Sequence, residues 1–248
     1  MLRVILVLFW LVLFLILSLP VQLVLFLIQT CSFGRARNWV RRVSLAIVSR
    51  AFRILMVLAG VRLTVKGVER IPVGEPVLYV GNHHSYFDTV ISYSQRTSPT
   101  GYIAKKVMRK VPILSIWMWF LDCYFLDRND IKDGMRMIQT CTDKINEGVS
   151  FTIFPEGTRN KTTEELLPFH KGSFKLAQRT GCAIVPMVFN NTAAIYEAHP
   201  GRIRAAHVVM EYGAPIYYKD LTKEEARHID DVVRDRILEI YRRNGALV

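Results

Sequence analysis

His83 and Asp88 are the pair in this sequence best suited to moving a proton. A neutral imidazole titrates near ~6.5 and is the natural base at neutral pH. The apolar run Val77–Val80 stops at Gly81-Asn82-His83-His84-Ser85-Tyr86-Phe87-Asp88. A strand ending in a polar turn before a helix is where α/β proteins hold ligands. Five residues are about 140° around a regular helix, so two mid-helix side chains at this spacing would point apart. With His83 in the turn and Asp88 in the first helical turn, the carboxylate folds back onto one ring nitrogen. It then fixes the tautomer, stabilises the cation and leaves the other nitrogen free to take a proton from an alcohol. The competing use of His84 and Asp88 is to cap the helix N-terminus, and His84 is expected to do only that. Ser85 puts a hydroxyl two residues from His83, but no Gly-x-Ser-x-Gly elbow surrounds it, which argues against a covalent acyl-enzyme.

A second constellation, Phe154-Pro155-Glu156-Gly157-Thr158-Arg159, follows another strand-like run, Phe151–Phe154. Pro155 ends the strand, and Gly157 lets the backbone approach a ligand closely. Arg159 offers a planar fork suited to phosphate. Standing alone, the hexapeptide reads as an ordinary strand-ending turn with a surface Glu and Arg.

Both turns need a sheet to hold them. Short β-rich runs recur at Leu63–Val65, Val77–Val80, Tyr102–Ala104, Cys123–Leu126, Phe151–Phe154, Ala183–Phe189 and Ala206–Glu211. Between them Met135, Ile138, Cys141 and Ile145 recur at helical spacing. Thr222 and Glu225 form a capping box ahead of Ile229, Val233, Ile237 and Ile240. Alternating strands and helices predict one α/β domain over residues 61–248, with a mixed, largely parallel sheet covered by helices.

Residues 1–60 have a different texture. Val4–Ile28 is uncharged, interrupted only by Ser18, Pro20 and Gln22. As one ideal helix it would measure roughly 37 Å, enough for a hydrocarbon core of about 30 Å. No small-x-small cleavage site follows, so the segment is read as retained. From Arg35 to Leu58, Arg35, Asn38, Arg42, Ser49 and Arg53 fall on one helical stripe, opposite Val40, Ile47, Ala51, Ile54 and Leu58. That pattern predicts a cationic amphipathic helix in the headgroup region of anionic lipid. Residues 1–62 hold eight Arg and no acid, +8 of the net +12, leaving +4 on the remainder. A nucleic-acid-binding domain carries its basic excess on the folded part, so a membrane is the expected partner. The helices either span, with the domain on the cytoplasmic face, or dip into one leaflet as a hairpin. The four cysteines show no paired or zinc-like spacing, and no metal site is expected.

In order and spacing, the two motifs resemble those of the 1-acyl-sn-glycerol-3-phosphate (lysophosphatidate) acyltransferase family. Asn82-His83-x4-Asp88 resembles its first block and Phe154-Pro155-Glu156-Gly157-Thr158-Arg159 its third. Ile103-Ala104-Lys105-Lys106, continuing through Pro112 to Leu126-Asp127-Arg128, resembles the second, and Ile184-Val185-Pro186-Met187 the fourth. Phe169-His170-Lys171-Gly172 fits the basic stretch after the third block, and the likeness covers roughly residues 63–215. Ser115 and Asp122 stand where that family's second block has glycines.

The resemblance implies acyl transfer from a thioester, acyl-CoA or acyl carrier protein, to the sn-2 hydroxyl of lysophosphatidate by direct attack. His83 would be the base and Asp88 its orienting partner. Lys105, Glu156, Gly157, Thr158 and Arg159 would bind the acceptor, Lys105 and Arg159 at its phosphate. No cofactor is implied beyond the co-substrate, and the compact length suggests a bacterial membrane enzyme by analogy. Other acceptors (glycerol 3-phosphate, a lysophospholipid, a lyso-aminolipid) share these blocks. Two further readings are a membrane-tethered phosphoester hydrolase and a non-catalytic anchor that binds anionic lipid.

Overall fold

The structure is a computed structural model that describes residues 1–162 and 164–248. Each of the seven apolar runs forms a strand: β1 (Val61–Lys66), β2 (Val77–Gly81), β3 (Thr100–Lys105), β4 (Tyr124–Leu126), β5 (Ser150–Ile153), β6 (Ala183–Asn190) and β7 (Ala206–Tyr212). They make one sheet in the order β1-β7-β6-β2-β5-β3-β4. Every pairing is parallel except β6 with β7. The helices are α1 (Leu2–Leu17), α2 (Leu19–Cys31), α3 (Arg37–Ala59), α4 (Tyr86–Ser94), α5 (Leu114–Phe120), α6 (Ile131–Asn146), α7 (Lys175–Thr180), α8 (Lys223–Arg227) and α9 (Ile229–Gly245).

β2 lies near the middle of the sheet and is buried along its whole length. Alternation divides its side chains between two cores. Leu78 and Val80 pack with residues of α6, α7 and α9, whereas Val77 and Tyr79 pack with residues of α1, α3 and α4. Truncating Leu78, which is fully buried, would remove about 2–5 kcal/mol. The central strand is therefore a rigid support for the turn that follows it.

The N-terminal segment differs from a single ideal helix. It breaks at Ser18 into α1 and α2, which are bent by 41°. Pro20 explains part of this, since its ring clashes with a preceding carbonyl in a helix interior but is tolerated in the first turn of α2. Among the described residues no single helix is long and apolar enough to cross a membrane, although the bent pair together meets that criterion. The polar interruptions are used internally. Trp117 Nε1 donates to Ser18 Oγ at 3.0 Å, and Gln22 Nε2 donates to the Ile113 carbonyl at 3.1 Å.

α3 departs from its expected stripes. Ser49, expected on the polar side, is buried and donates to the Ser94 carbonyl, while Ile54 on the opposite side is exposed. Arg41 is buried as well, pairing with Asp122 and, at 2.6 Å, with Glu147. Asp122 also accepts from Arg37 at 2.8 Å. Its backbone is left-handed (φ +54°), which accounts for the glycine expected there. The aspartate fills that position and tethers α3 to the turn before β4. At Gly101, a Cβ would lie 2.6 Å from the Asp122 carbonyl oxygen, so only glycine lets this turn approach β3.

Smaller differences follow the same logic of tertiary contact. Met135, on the helical pattern of α6, is exposed rather than in the core. The capping box at Thr222 and Glu225 is present but opens the short α8, and the chain turns at His228 before α9.

Candidate active site

β2, β3, β4 and β5 run parallel, so the loops after them meet at one edge of the sheet. Asn82, fully buried just beyond β2, both donates to the Phe189 carbonyl and accepts from its amide at 2.9 and 2.8 Å. This fixes the following turn to β6. Ser85 is the N-cap of α4, and its hydroxyl accepts from Phe87 N at 3.0 Å. Asp88, in the third helical position, completes a capping box by accepting from Ser85 N at 2.7 Å.

The same Asp88 oxygen accepts from His84 N and from His83 Nδ1, each at 2.8 Å. Capping and orientation of His83 are therefore one arrangement, because His83 sits two residues before the cap. Three N–H groups and the positive end of a helix converge on a fully buried carboxylate. They hold the proton of His83 on Nδ1 and turn Nε2 outward. No group pairs with Nε2 among the described residues, and the side chain is 18% exposed. Phe154 stacks on the ring, centroids 4.2 Å apart and planes within 15°, which fixes its tilt. An oriented imidazole with one accessible basic nitrogen can accept a proton from a bound alcohol.

Glu156 lies beneath this arrangement and is 4% exposed. One of its oxygens accepts from His83 N at 2.8 Å and the other from Leu167 N at 3.0 Å. Burial pushes its pKa up to about 7, against the lowering effect of those two amides. Its carboxylate oxygens thus already bond the backbone of the two loops. Gly157 has φ +70°, and a Cβ there would stand 3.1 Å from the His170 ring. Thr158 is exposed.

Arg159 lies with its guanidinium 3.6 Å from the centre of the Tyr86 ring, and its Nη1 donates to Glu197 at 3.1 Å. Lys105 ends β3, exposed, two strand spacings or about 10 Å from β2. Of the seven residues singled out from the sequence, the structure thus joins His83, Asp88 and Glu156 by direct hydrogen bonds. Arg159 and Gly157 stand in the adjoining loop, and Lys105 reaches the same sheet edge independently.

His84 does not cap the helix with its side chain, contrary to expectation. Its ring contacts Asn82 and the Glu165 carbonyl and stacks on Tyr241, tying the turn to α9. Burial lowers its pKa. Ser85 Oγ is buried and donates to Glu197 at 2.6 Å, so it faces away from solvent. Glu197 and the stacking role of Phe154 carried no sequence signal, since the first lies 112 residues from Ser85. A pocket of about 360 Å³ opens on Phe154, with Ile103, Leu126, Ile138 and Ile153 among its walls and the exposed side chains of Arg128, His170 and Lys175 beside them.

A family model described as acyltransferase matches residues 62–190, just over half of the 248-residue chain. The chain belongs to this acyltransferase family. The 1-acyl-sn-glycerol-3-phosphate acyltransferase of Haemophilus influenzae is 30% identical over 226 residues, 86% of this chain and 91% of that protein. The protein of the same name in Saccharomyces cerevisiae is 30% identical over 80% of this chain, which spans 66% of the yeast protein's length. In fold, the chain is similar to the crystal structure of the 1-acyl-sn-glycerophosphate acyltransferase of Thermotoga maritima. The TM-score is 0.68 at 23% identity, over 92% of this chain and 94% of that one.

Proposed function

We propose that this protein transfers a fatty acyl group from an acyl thioester to the sn-2 hydroxyl of 1-acyl-sn-glycerol 3-phosphate, making phosphatidate. The observation that carries this reading is the 2.8 Å pairing of His83 Nδ1 with buried Asp88 and the accessible Nε2 opposite it. The acceptor hydroxyl gives its proton to Nε2 as its oxygen attacks the thioester carbonyl carbon. A C–O bond forms and the C–S bond breaks. The imidazolium, stabilised by Asp88, returns the proton to the departing thiolate. Arg159 binds the acceptor's phosphate through the edge of its guanidinium not used by Glu197, with Lys105 as a second cation. The pocket beside Phe154 has the apolar walls an acyl chain needs.

Membrane association through residues 1–59 belongs to the same proposal. Phe9, Val12, Ile16, Leu23 and Phe26 are exposed on α1 and α2. The bend at Ser18 and the contacts of Ser18 and Gln22 with the α5 region favour a pair of helices lying in one leaflet over a span. The donor, acyl-CoA or acyl carrier protein, would then arrive from the cytoplasm.

The test is incubation of the purified protein with labelled lysophosphatidate and each donor in turn, followed by identification of the product. Glycerol 3-phosphate and neutral lysolipids serve as competing acceptors, and a chelator is included. Phosphatidate formed in chelator, with turnover lowered roughly 10²–10⁴-fold by His83→Ala, is the expected result. A product from another acceptor alone, or activity indifferent to His83, refutes the assignment.

A further inference from the structure

Glu197 follows β6 and the short 3₁₀ turn Thr192–Ile195. Backbone bonds from Ala198 N to the Ala193 carbonyl and from Arg204 N to the Ile195 carbonyl, each 2.9 Å, fold this segment back over the N-terminus of α4. The Glu197 carboxylate accepts there from Ser85 Oγ at 2.6 Å, Tyr86 N at 2.9 Å and Arg159 Nη1 at 3.1 Å. It is 15% exposed and Arg159 20%, so the pair is shielded from water more than a surface ion pair. Two chain segments distant in sequence, the N-terminus of α4 and the loop after β5, thus end on one carboxylate of a third.

The consequence lies in the guanidinium. One corner is fixed by Glu197, and one face rests on Tyr86. Among the described residues no acceptor engages Nε or Nη2. A planar cation held at a corner and a face has its other N–H groups aimed in one direction, which is what a bidentate grip on an anion requires. Without Glu197 the side chain regains rotamer freedom, and the same charge grips less well.

We infer that Glu197 is a positioning residue that orients Arg159 toward an anionic group, here the acceptor's phosphate, and so sets the affinity for phosphate-bearing acceptors. The inference rests on the function proposed above. Glu197 touches no reacting atom, so its removal acts on acceptor KM and leaves kcat nearly intact. Gln at this position preserves all three contacts, because its carbonyl accepts from Arg159 and Tyr86 and its amide donates to Ser85 Oγ.

The test is a double-mutant cycle between Glu197→Ala and Arg159→Ala, read as lysophosphatidate KM and kcat separately. Glu197→Ala is expected to raise KM roughly tenfold, the scale of one charge-assisted hydrogen bond. It should change kcat by less than about threefold and add nothing in the Arg159→Ala background. Glu197→Gln is expected to restore KM to within about threefold of wild type. An unchanged KM in Glu197→Ala, a KM effect of equal size with and without Arg159, or a loss confined to kcat overturns the inference. If Glu197→Ala does not fold, Glu197→Asp, which withdraws the acceptor by one methylene, runs through the same cycle with the same criteria. Wild-type protein that makes no phosphatidate would overturn the proposed function, whereas an active wild type with an additive cycle overturns only the role of Glu197.

Discussion

Replacing Asp88 by Asn separates the charge of this residue from its shape. In the buried site the amide oxygen takes over the oxygen that now accepts from His83 Nδ1, His84 N and Ser85 N. The amide nitrogen falls where the second carboxylate oxygen sits, which is buried without a partner. Geometry and tautomer are thereby kept, and an unsatisfied buried amide costs about 1–3 kcal/mol of stability. The chemical loss is larger. An N–O distance of 2.8 Å puts the charge centres of imidazolium and carboxylate about 4 Å apart, worth about 4 kcal/mol at an effective dielectric of ~20. At 1.36 kcal/mol per decade this is roughly a 10³-fold loss of kcat. Initial rates under saturating donor and acceptor, with circular-dichroism melting as a control for folding, give the comparison. A folded Asp88→Asn protein retaining more than about a tenth of wild-type kcat refutes the claim that Asp88 stabilises a His83 cation.

Two further outcomes follow from burial. The raised Glu156 pKa, about 7 against 4.5 ordinarily, makes the folded state hold a proton that the unfolded chain has already lost. Its contribution is complete below pH 4.5 and disappears as pH rises to 7, an order-of-magnitude change of about 3 kcal/mol. His84, with its lowered pKa, contributes the opposite slope. Urea titrations of wild type and Glu156→Gln between pH 4.5 and 7.5 isolate the glutamate. Parallel stability curves for the two would contradict it. Deleting residues 1–60 removes Val40, Leu45, Val48, Leu55 and Met56, all buried against the domain. The product is expected to be insoluble and without cooperative melting, and a monomeric, cooperatively melting 61–248 fragment would show that α3 is dispensable.

The seven strands were legible because each is a short apolar run bounded by turn residues, a local signal. Their order in the sheet was not, since it depends on pairings between residues as distant as Val61 and Ala206. His83 and Asp88 could be paired from spacing alone once a helix was taken to begin between them. Ser49 was misjudged because a helical wheel sends hydroxyl groups to solvent, and the burial of Arg41, which lay on neither stripe, was not legible at all. Asp122, Glu147 and the Ser94 carbonyl supply partners from elsewhere in the chain, and nothing in residues 35–58 announces them. Glu197 was invisible for the same reason.

The ion pairs from α3 to Asp122 and Glu147, with the elbow at Ser18 seated on Trp117, brace the N-terminal helices against the rest of the fold. In the membrane-bound state proposed here, the turn that carries His83 would ride at constant height and tilt above the lipid plane. Encounter with a lysolipid then becomes a two-dimensional search with a single rotational degree of freedom. A long flexible tether would add angular wandering to every collision.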